Sequence, residues 1–374
     1  MPGHDDGGVC CYKSKLPAAG ITTMAKRAIP FIRHWSEIER AEAILHPHTK
    51  EPMVRTAPFS ARFEIRRLGI RHDTIMPGWR SSQPHAERDE EEMVFILEGA
   101  PDLWVDGHIY RMKAGEAAGW PGRDGMAHCL INNTTEPVRM LTIGEASRYN
   151  SRIHFPLTRE MDGWLTKNDK LWVEPPKRKL GPHDGIADAV RGRPSPKAGI
   201  AKRKPSCVAG WKTMTKDNSH YPGDDELMAV WSHLSVALGM TRIGVGHDLL
   251  EPGRRTSWPH AEFDEEEFVY VVEGEPDVWI DGTLYRLREG CGAGFPDRTG
   301  IAHCFINNTD QPVRLITVGE ASRRRSKCFY PLHPKRNKEI GEGLWQNPPK
   351  RRLGDHDGLS ELRRASLKAN GRRK

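Results

Sequence analysis

PHAERDEEEMVFILEGAPDLWVDG, from Pro84 to Gly107, returns with few changes as PHAEFDEEEFVYVVEGEPDVWIDG, from Pro259 to Gly282. The two stretches begin 175 positions apart, and GMAHCLINN at Gly125 returns as GIAHCFINN at Gly300 with the same offset. A repeat this long, present twice, is a duplicated domain rather than the short unit of a solenoid. Further out, PVRMLTIGEAS at Pro137 matches PVRLITVGEAS at Pro312, and LWVEPPKRKLGPHDG at Leu171 matches LWQNPPKRRLGDHDG at Leu344. The last pair is offset by 173, so two residues have dropped out of the loop before it.

Within each copy the signals are those of strands. VFILEG and VYVVEG are short β-rich runs, and Asp106-Gly107 and Asp281-Gly282 each stand between two alternating stretches. Asp-Gly in that setting is the strongest short signal for a two-residue hairpin turn. Many short strands with closely spaced turns predict an all-β fold of two tandem antiparallel barrels or jelly rolls. The expected organisation is an N-terminal extension over 1–55, a first barrel over 56–186, a basic linker over 187–206, a second barrel over 207–360 and a basic tail over 361–374. Only Phe31 to Leu45 reads as helical, with Ile32, Trp35, Ile38 and Ala41 at helical intervals. Met1 to Thr23 is loosely composed, and translation starts either at Met1 or at Met24.

The 374 residues suit two domains that each bury a core. The formal charge of +7 is concentrated: Arg191–Pro205 and Arg363–Lys374 hold twelve Lys/Arg and no acid, leaving −5 on the rest. Mildly acidic barrels with basic flexible pieces do not make a nucleic-acid surface, and no aromatic and basic interleaving supports base recognition. No nucleic-acid partner is expected. Seven cysteines without CxxC spacing exclude a disulfide framework and a zinc knuckle, and no stretch is long enough to span a bilayer. A cytoplasmic protein with no membrane partner is the expectation.

The chemistry-bearing residues lie inside the duplication. His85 and Glu87 are one residue apart, so on a strand both leave the same face. Glu92 follows at the head of the next strand and His128 comes from a distant one; the second copy offers His260, Glu262, Glu267 and His303. Imidazole nitrogen and carboxylate oxygen suit first-row divalent metals, and two His with one carboxylate is the facial arrangement of non-haem iron enzymes. The oxygen-rich set favours Fe(II) or Mn(II) over Zn, Ni or Cu. The alternative is a pair of buried histidines hydrogen-bonded to carboxylates without metal. Glu90, Glu91, Glu265 and Glu266 read as the solvated start of a strand. Cys129 and Cys304, next to the histidines, alternate to the opposite face and read as packing residues.

These residues resemble the cupin superfamily. Gly78, His85, Glu92 and Gly99 match its first motif, as do Gly253, His260, Glu267 and Gly274. Gly115, Pro121, Gly125, His128 and Asn132 match its second, repeated by Gly290, Pro296, Gly300, His303 and Asn307. Both halves are covered, so the chain resembles a bicupin. The resemblance implies two double-stranded β-helix barrels, paired within one chain in place of the dimer of single cupins, with further homo-oligomers open. It also implies a metal held inside each barrel by the motif His and Glu residues. Two departures stand out: the second His of the first motif is Glu87 in one copy and Glu262 in the other, and the second motif is two residues longer than its usual form.

The leading functional expectation is a metal-dependent, oxygenase-like enzyme acting on a small polar organic molecule. His85, Glu87, Glu92 and His128 are its metal ligands in one barrel, and His260, Glu262, Glu267 and His303 in the other. Glu87 and Glu262 serve either as fourth ligand or as general base. Isomerase and decarboxylase chemistry stay open, as does a non-catalytic cupin that binds a small molecule or a metal.

Overall fold

The two Asp-Gly pairs turn as their sequence predicts. In the computed structural model, Asp106 and Gly107 have φ of 45° and 81°, and Asp281 and Gly282 have 47° and 86°. Positive φ at both central residues is the type I′ requirement. Glycine is needed second for another reason: a Cβ on Gly107 would lie 2.5 Å from the Gly181 backbone, and one on Gly282 would lie 2.4 Å from that of Gly354. The structure describes residues 30–146, 151–193, 200–214, 216–321 and 326–371. Met1 to Thr23, with Cys10 and Cys11, and the alternative start Met24 lie outside them, as do parts of the basic linker and tail.

Each repeat is an antiparallel sandwich, and the all-β expectation holds. In the first, Glu116–Trp120, Glu92–Glu98, Val138–Glu145, Leu68–Ile75 and Pro52–Pro58 are successive neighbours in a seven-stranded sheet. A smaller sheet of His128–Ile131, Asp102–Val105 and His108–Arg111 closes over it. The second repeat builds the same pair of sheets around Glu267–Glu273 and His303–Ile306. Trp104 and Trp279 are fully buried, and their Nε1 atoms donate to the backbone oxygens of His183 and His356 at 2.9 and 2.8 Å. The repeated HDG turns are thereby pinned to each barrel wall.

The large sheets are completed across the repeats. Ile32–His34 pairs with Cys291–Phe295 of the second barrel, whereas Val208–Gly210, at the head of the second repeat, pairs with Glu116–Trp120 of the first. The strands therefore cross the expected domain lines. Residues 1–55 contribute two further strands to the first barrel, Ile44–Leu45 and the start of Pro52–Pro58. The tail opens as a helix, Glu361–Gly371. The helix predicted over Phe31 to Leu45 is a single turn, Trp35–Ile38, between strands. Its apolar residues satisfy a sheet border instead, because a bare edge offers unpaired backbone groups that a short strand can cover.

One apolar core lies between the barrels. Phe59, Phe63 and Phe95 of the first meet Phe268, Tyr270 and Ile316 of the second, with Phe59 and Phe268 ring centres 5.1 Å apart. Trp35 stacks on His72 at 4.4 Å and Trp211 on His247 at 4.4 Å, each tryptophan following an exchanged strand. Burial drives the His72 imidazole down to about 3 and that of His247 to about 4, with the Arg139 and Arg314 charges adding to each.

Polar contacts repeat the same symmetry. Glu266 accepts from the backbone N–H groups of Arg66, Arg67 and Leu68 at 2.8, 2.8 and 3.2 Å. Glu91 accepts from Thr241, Arg242 and Ile243 at 2.9, 2.9 and 3.0 Å. Arg67 reaches Glu320, and Arg242 reaches Glu145, both at 2.6 Å. This corrects the reading of Glu90, Glu91 and Glu266 as solvated: Glu90 is 7% exposed and the other two are 1% exposed. Buried carboxylates hold their charge when several donors face them, which is what the strand starts supply. No described helix is long and apolar enough to cross a membrane.

Candidate metal centres

The two histidines of each barrel are set opposite one another by the sheet. His85 and His128 exchange backbone hydrogen bonds of 3.2 and 2.9 Å, and His260 and His303 do so at 3.3 and 2.9 Å. Each ring is oriented by its Nδ1, which lies 2.9 Å from the Gln83 oxygen in His85, 3.0 Å from that of Met126 in His128 and 2.8 Å from that of Trp258 in His260. A carbonyl requires Nδ1 to carry the proton, so the Nε2 lone pairs face the barrel interior. Flat aromatic rings hold the second histidine of each pair: Trp120 stacks on His128 at 3.6 Å and Phe295 on His303 at 3.5 Å.

The carboxylates arrive from neighbouring strands. Glu92 begins Glu92–Glu98, and its Oε2 lies 3.2 Å from His128 Nε2 and 3.9 Å from His85 Nε2. Glu267 Oε2 lies 3.1 Å from His303 Nε2, yet it is buried without a hydrogen-bond partner. Glu87 and Glu262 sit on the two-residue strands Ala86–Glu87 and Ala261–Glu262, with Oε1 3.9 and 3.4 Å from His85 and His260 Nε2. All eight sequence-predicted residues thus converge, four in each barrel. The tightest groups differ: His85, Glu92 and His128 in the first, and His260, Glu262 and Glu267 in the second.

Burial lowers the His85 imidazole to about 4, with the neighbouring His128 charge adding to it, and burial also lowers His260. Both rings are neutral near pH 7, the form that binds a metal. Burial alone would raise Glu92, but a proton shared with His128 Nε2, or a cation standing in its place, draws it down, to about 2. Glu267 falls to about 2 against the same burial, through His303 and His260. Burial pushes Glu262 the other way, to about 9, and the Glu267 charge adds to that. Each centre so combines convergent imidazole lone pairs with one ionised carboxylate, and a divalent cation fits that donor set. Glu267 Oε2 is a further sign, since it is closed to water and its 3.1 Å contact with His303 Nε2 lacks hydrogen-bond geometry.

The cupin domain family model matches residues 71–144 and again residues 246–319. The chain carries a cupin domain in each repeat. It is a bicupin, and both matched segments contain a complete His/Glu centre. Polyketide synthase CurC of Streptomyces cyaneus is 37% identical to it over 81 residues, 22% of this chain and 51% of that protein. The bicupin thus spans about half the length of that curated relative. Among solved structures, a variant of Bacillus subtilis oxalate decarboxylase OxdC is 12% identical, with a TM-score of 0.48, 83% of this chain and 81% of that chain covered. The formate complex of Lactobacillus farciminis oxalate decarboxylase is 14% identical, with a TM-score of 0.49 and coverage of 87% and 96%. AerE from Microcystis aeruginosa is 12% identical, with a TM-score of 0.42 and coverage of 75% and 98%.

Two interior carboxylates of the bicupin escaped sequence reading. Asp73 accepts from Thr142 Oγ1 at 2.7 Å, and Asp248 takes a hydrogen bond from Thr317; both aspartates are buried. Their signal was present, because His72-Asp73 and His247-Asp248 recur at the common offset of 175. Cys129 and Cys304 are fully buried on the face away from the centres, and burial pushes both thiols to about 12.

Proposed function

We propose that this bicupin is a metal-dependent, oxygenase-like enzyme of the cytoplasm that acts on a small polar organic molecule. One divalent cation would be held in each barrel, Fe(II) or Mn(II) in preference to Zn, Ni or Cu. His85, Glu87, Glu92 and His128 would hold the first, and His260, Glu262, Glu267 and His303 the second. The observation that carries this reading is the close grouping of imidazole nitrogens and glutamate carboxylate oxygens in both barrels, His85, Glu92 and His128 in the first and His260, Glu262 and Glu267 in the second. A bound cation supplies Lewis acidity and open positions for an oxygen-bearing substrate. The protein's own part is to exclude water, fix the imidazoles through their Nδ1 atoms and place Glu87 beside the centre as a general base, with Glu262 able to take that role only once a bound cation has displaced its proton. A cytoplasmic setting accords with the five free cysteines among the described residues. The polyketide synthase relative suggests oxygen-rich carbon chains for a first substrate screen.

The test is elemental analysis of protein purified from iron- or manganese-supplemented culture, followed by oxygen uptake with a panel of diols and diketones. His128→Ala and His303→Ala should each remove about one metal equivalent per chain, and together should abolish turnover. Full metal without oxygen uptake or other turnover would instead identify a non-catalytic metal-binding cupin. Protein free of metal after supplementation would end the proposal.

A further inference from the structure

The two centres share their ligand types but not their surroundings. Arg71 of the first barrel and Gly246 of the second occupy matching places on Leu68–Ile75 and Ile243–Leu250, beside Thr142 and Thr317. Arg71 turns into the first barrel: its Nε lies 3.3 Å from Asp73 Oδ2, and its charge acts on Glu92. At Gly246 there is no side chain, and even a Cβ would lie 2.8 Å from Thr317 Oγ1. The second barrel holds a chamber of about 350 Å³ at that point, with His260, Glu267 and His303 on its wall together with Trp231, Asp248 and Gly246.

The lining of this chamber selects by charge. No Lys or Arg is among its lining residues, whereas Glu267 and Asp248 are. Thr256, Ser257 and Thr317 add hydroxyls, and Trp231, where the first barrel has Thr56, adds a flat apolar wall. The Trp231 Nε1 is buried without a hydrogen-bond partner, which leaves one donor on the wall for a ligand oxygen. With no cation bound, an anionic group here would be desolvated against Glu267 and Asp248 with no Lys or Arg among the lining residues to offset them, at a cost that neutral hydroxyls avoid. Burial raises the Asp248 carboxyl to about 7, so it can donate as well as accept near neutral pH.

We propose that the second barrel alone is the substrate chamber, opened by Gly246, that it takes a neutral molecule with vicinal hydroxyls, and that Arg71 fills the matching space in the first barrel. This rests on the metal-dependent reading above for its chemistry, but Gly246, Trp231 and Asp248, which set the space and polarity of the chamber, lie outside the ligand sets. A ligand hydroxyl oxygen faces His260, Glu267 and His303, a second one faces Asp248, and the carbon skeleton lies against Trp231. Gly246 and Arg71 are then specificity-determining residues, one admitting the ligand and the other refusing it.

The experiment is calorimetric titration of the full chain with catechol, a neutral vicinal diol, and with malonate, a dicarboxylate of similar reach. Metal-free and manganese-loaded protein are both titrated, and metal content is measured separately. The wild type should bind one catechol per chain, about tenfold or more tighter than malonate. Gly246→Arg should weaken catechol about tenfold or more with metal content unchanged, and Arg71→Gly should add a second catechol equivalent. Two equivalents in the wild type, no catechol binding in either form, tighter malonate binding, or unchanged affinity in Gly246→Arg would each overturn the proposal. If Gly246→Arg does not fold, Arg71→Gly decides, and a stoichiometry that stays at one overturns it. Failure to load metal would count against the metal reading alone, because the metal-free titration still reports on the chamber.

Discussion

Glu91 and Glu266 each reach across the barrel pair to close the start of a strand in the opposite barrel, through three backbone N–H groups apiece. Each immediately precedes a candidate ligand, Glu92 or Glu267. Strand alternation aims one residue at the neighbouring barrel and the next at the metal centre. The contact between barrels and the floor of each centre are therefore set by adjacent residues of one strand.

Glu266→Ala should cost about 3 kcal/mol of stability, because it strips the acceptor from three backbone donors in a place closed to water. Glu98→Ala, at a carboxylate 61% exposed, should cost under about 0.5 kcal/mol. Urea unfolding of the two variants checks the contrast. Equal losses would mean that the cross-barrel carboxylates carry no special weight.

Glu262 predicts a pH dependence in the metal-free protein. Its folded carboxyl sits near 9 against an ordinary value of 4.5, so between those values the unfolded chain has released a proton that the folded chain retains. Fewer protons on the unfolded state make stability fall as pH rises through that window. Glu262→Gln cannot ionise, so its melting temperature should match the wild type near pH 4 and rise above it progressively toward pH 9. A constant difference across the range would refute the assignment. Metal loading should shrink the effect, since a nearby cation favours the carboxylate.

His72 and His247 predict the opposite limb. Both are held neutral when folded, near 3 and 4, against an ordinary 6.5. The unfolded chain therefore binds more protons between pH 6.5 and 4, and stability is lost as pH falls through that range. His247→Phe keeps a flat ring under Trp211 and removes the titration. It should recover about 2 kcal/mol of the loss at pH 4.5 relative to pH 7, read from denaturant midpoints at the two pH values.

Cys129 and Cys304 should resist thiol reagents in the native protein, because their thiols are buried and pushed to about 12. Only the thiolate reacts, and both reagent access and ionisation are denied. Peptide-resolved alkylation should label Cys328, which is partly exposed, well before either of them. Labelling of Cys129 and Cys304 should appear only with global unfolding. Fast labelling in the folded state would show barrels that open locally.

The duplication made much of this legible from sequence. A constant offset across the motifs carried the all-β fold, the Asp-Gly turns and all eight convergent His and Glu residues, since motifs so spaced must occupy equal places in equal barrels. Three features were hidden for physical reasons. Glu91 and Glu266 sit in acidic runs, and sequence does not say which member of a run is desolvated by a neighbour distant in the chain. Ile32–His34 is too short to show strand periodicity, and its partner lies more than two hundred residues away. Arg71 and Gly246 fall outside the motifs, so the difference between the chambers needed strand register before it could be seen.

The exchanged strands separate ancestry from autonomy. Cutting the chain between its repeats would send Val208–Gly210 away with the half that does not use it and leave Ile32–His34 with the other. Each fragment would keep its ligands and lose its border, exposing an open sheet margin to any passing chain. Neither half, cut this way, would carry its complete sheet, so each centre belongs to the full chain.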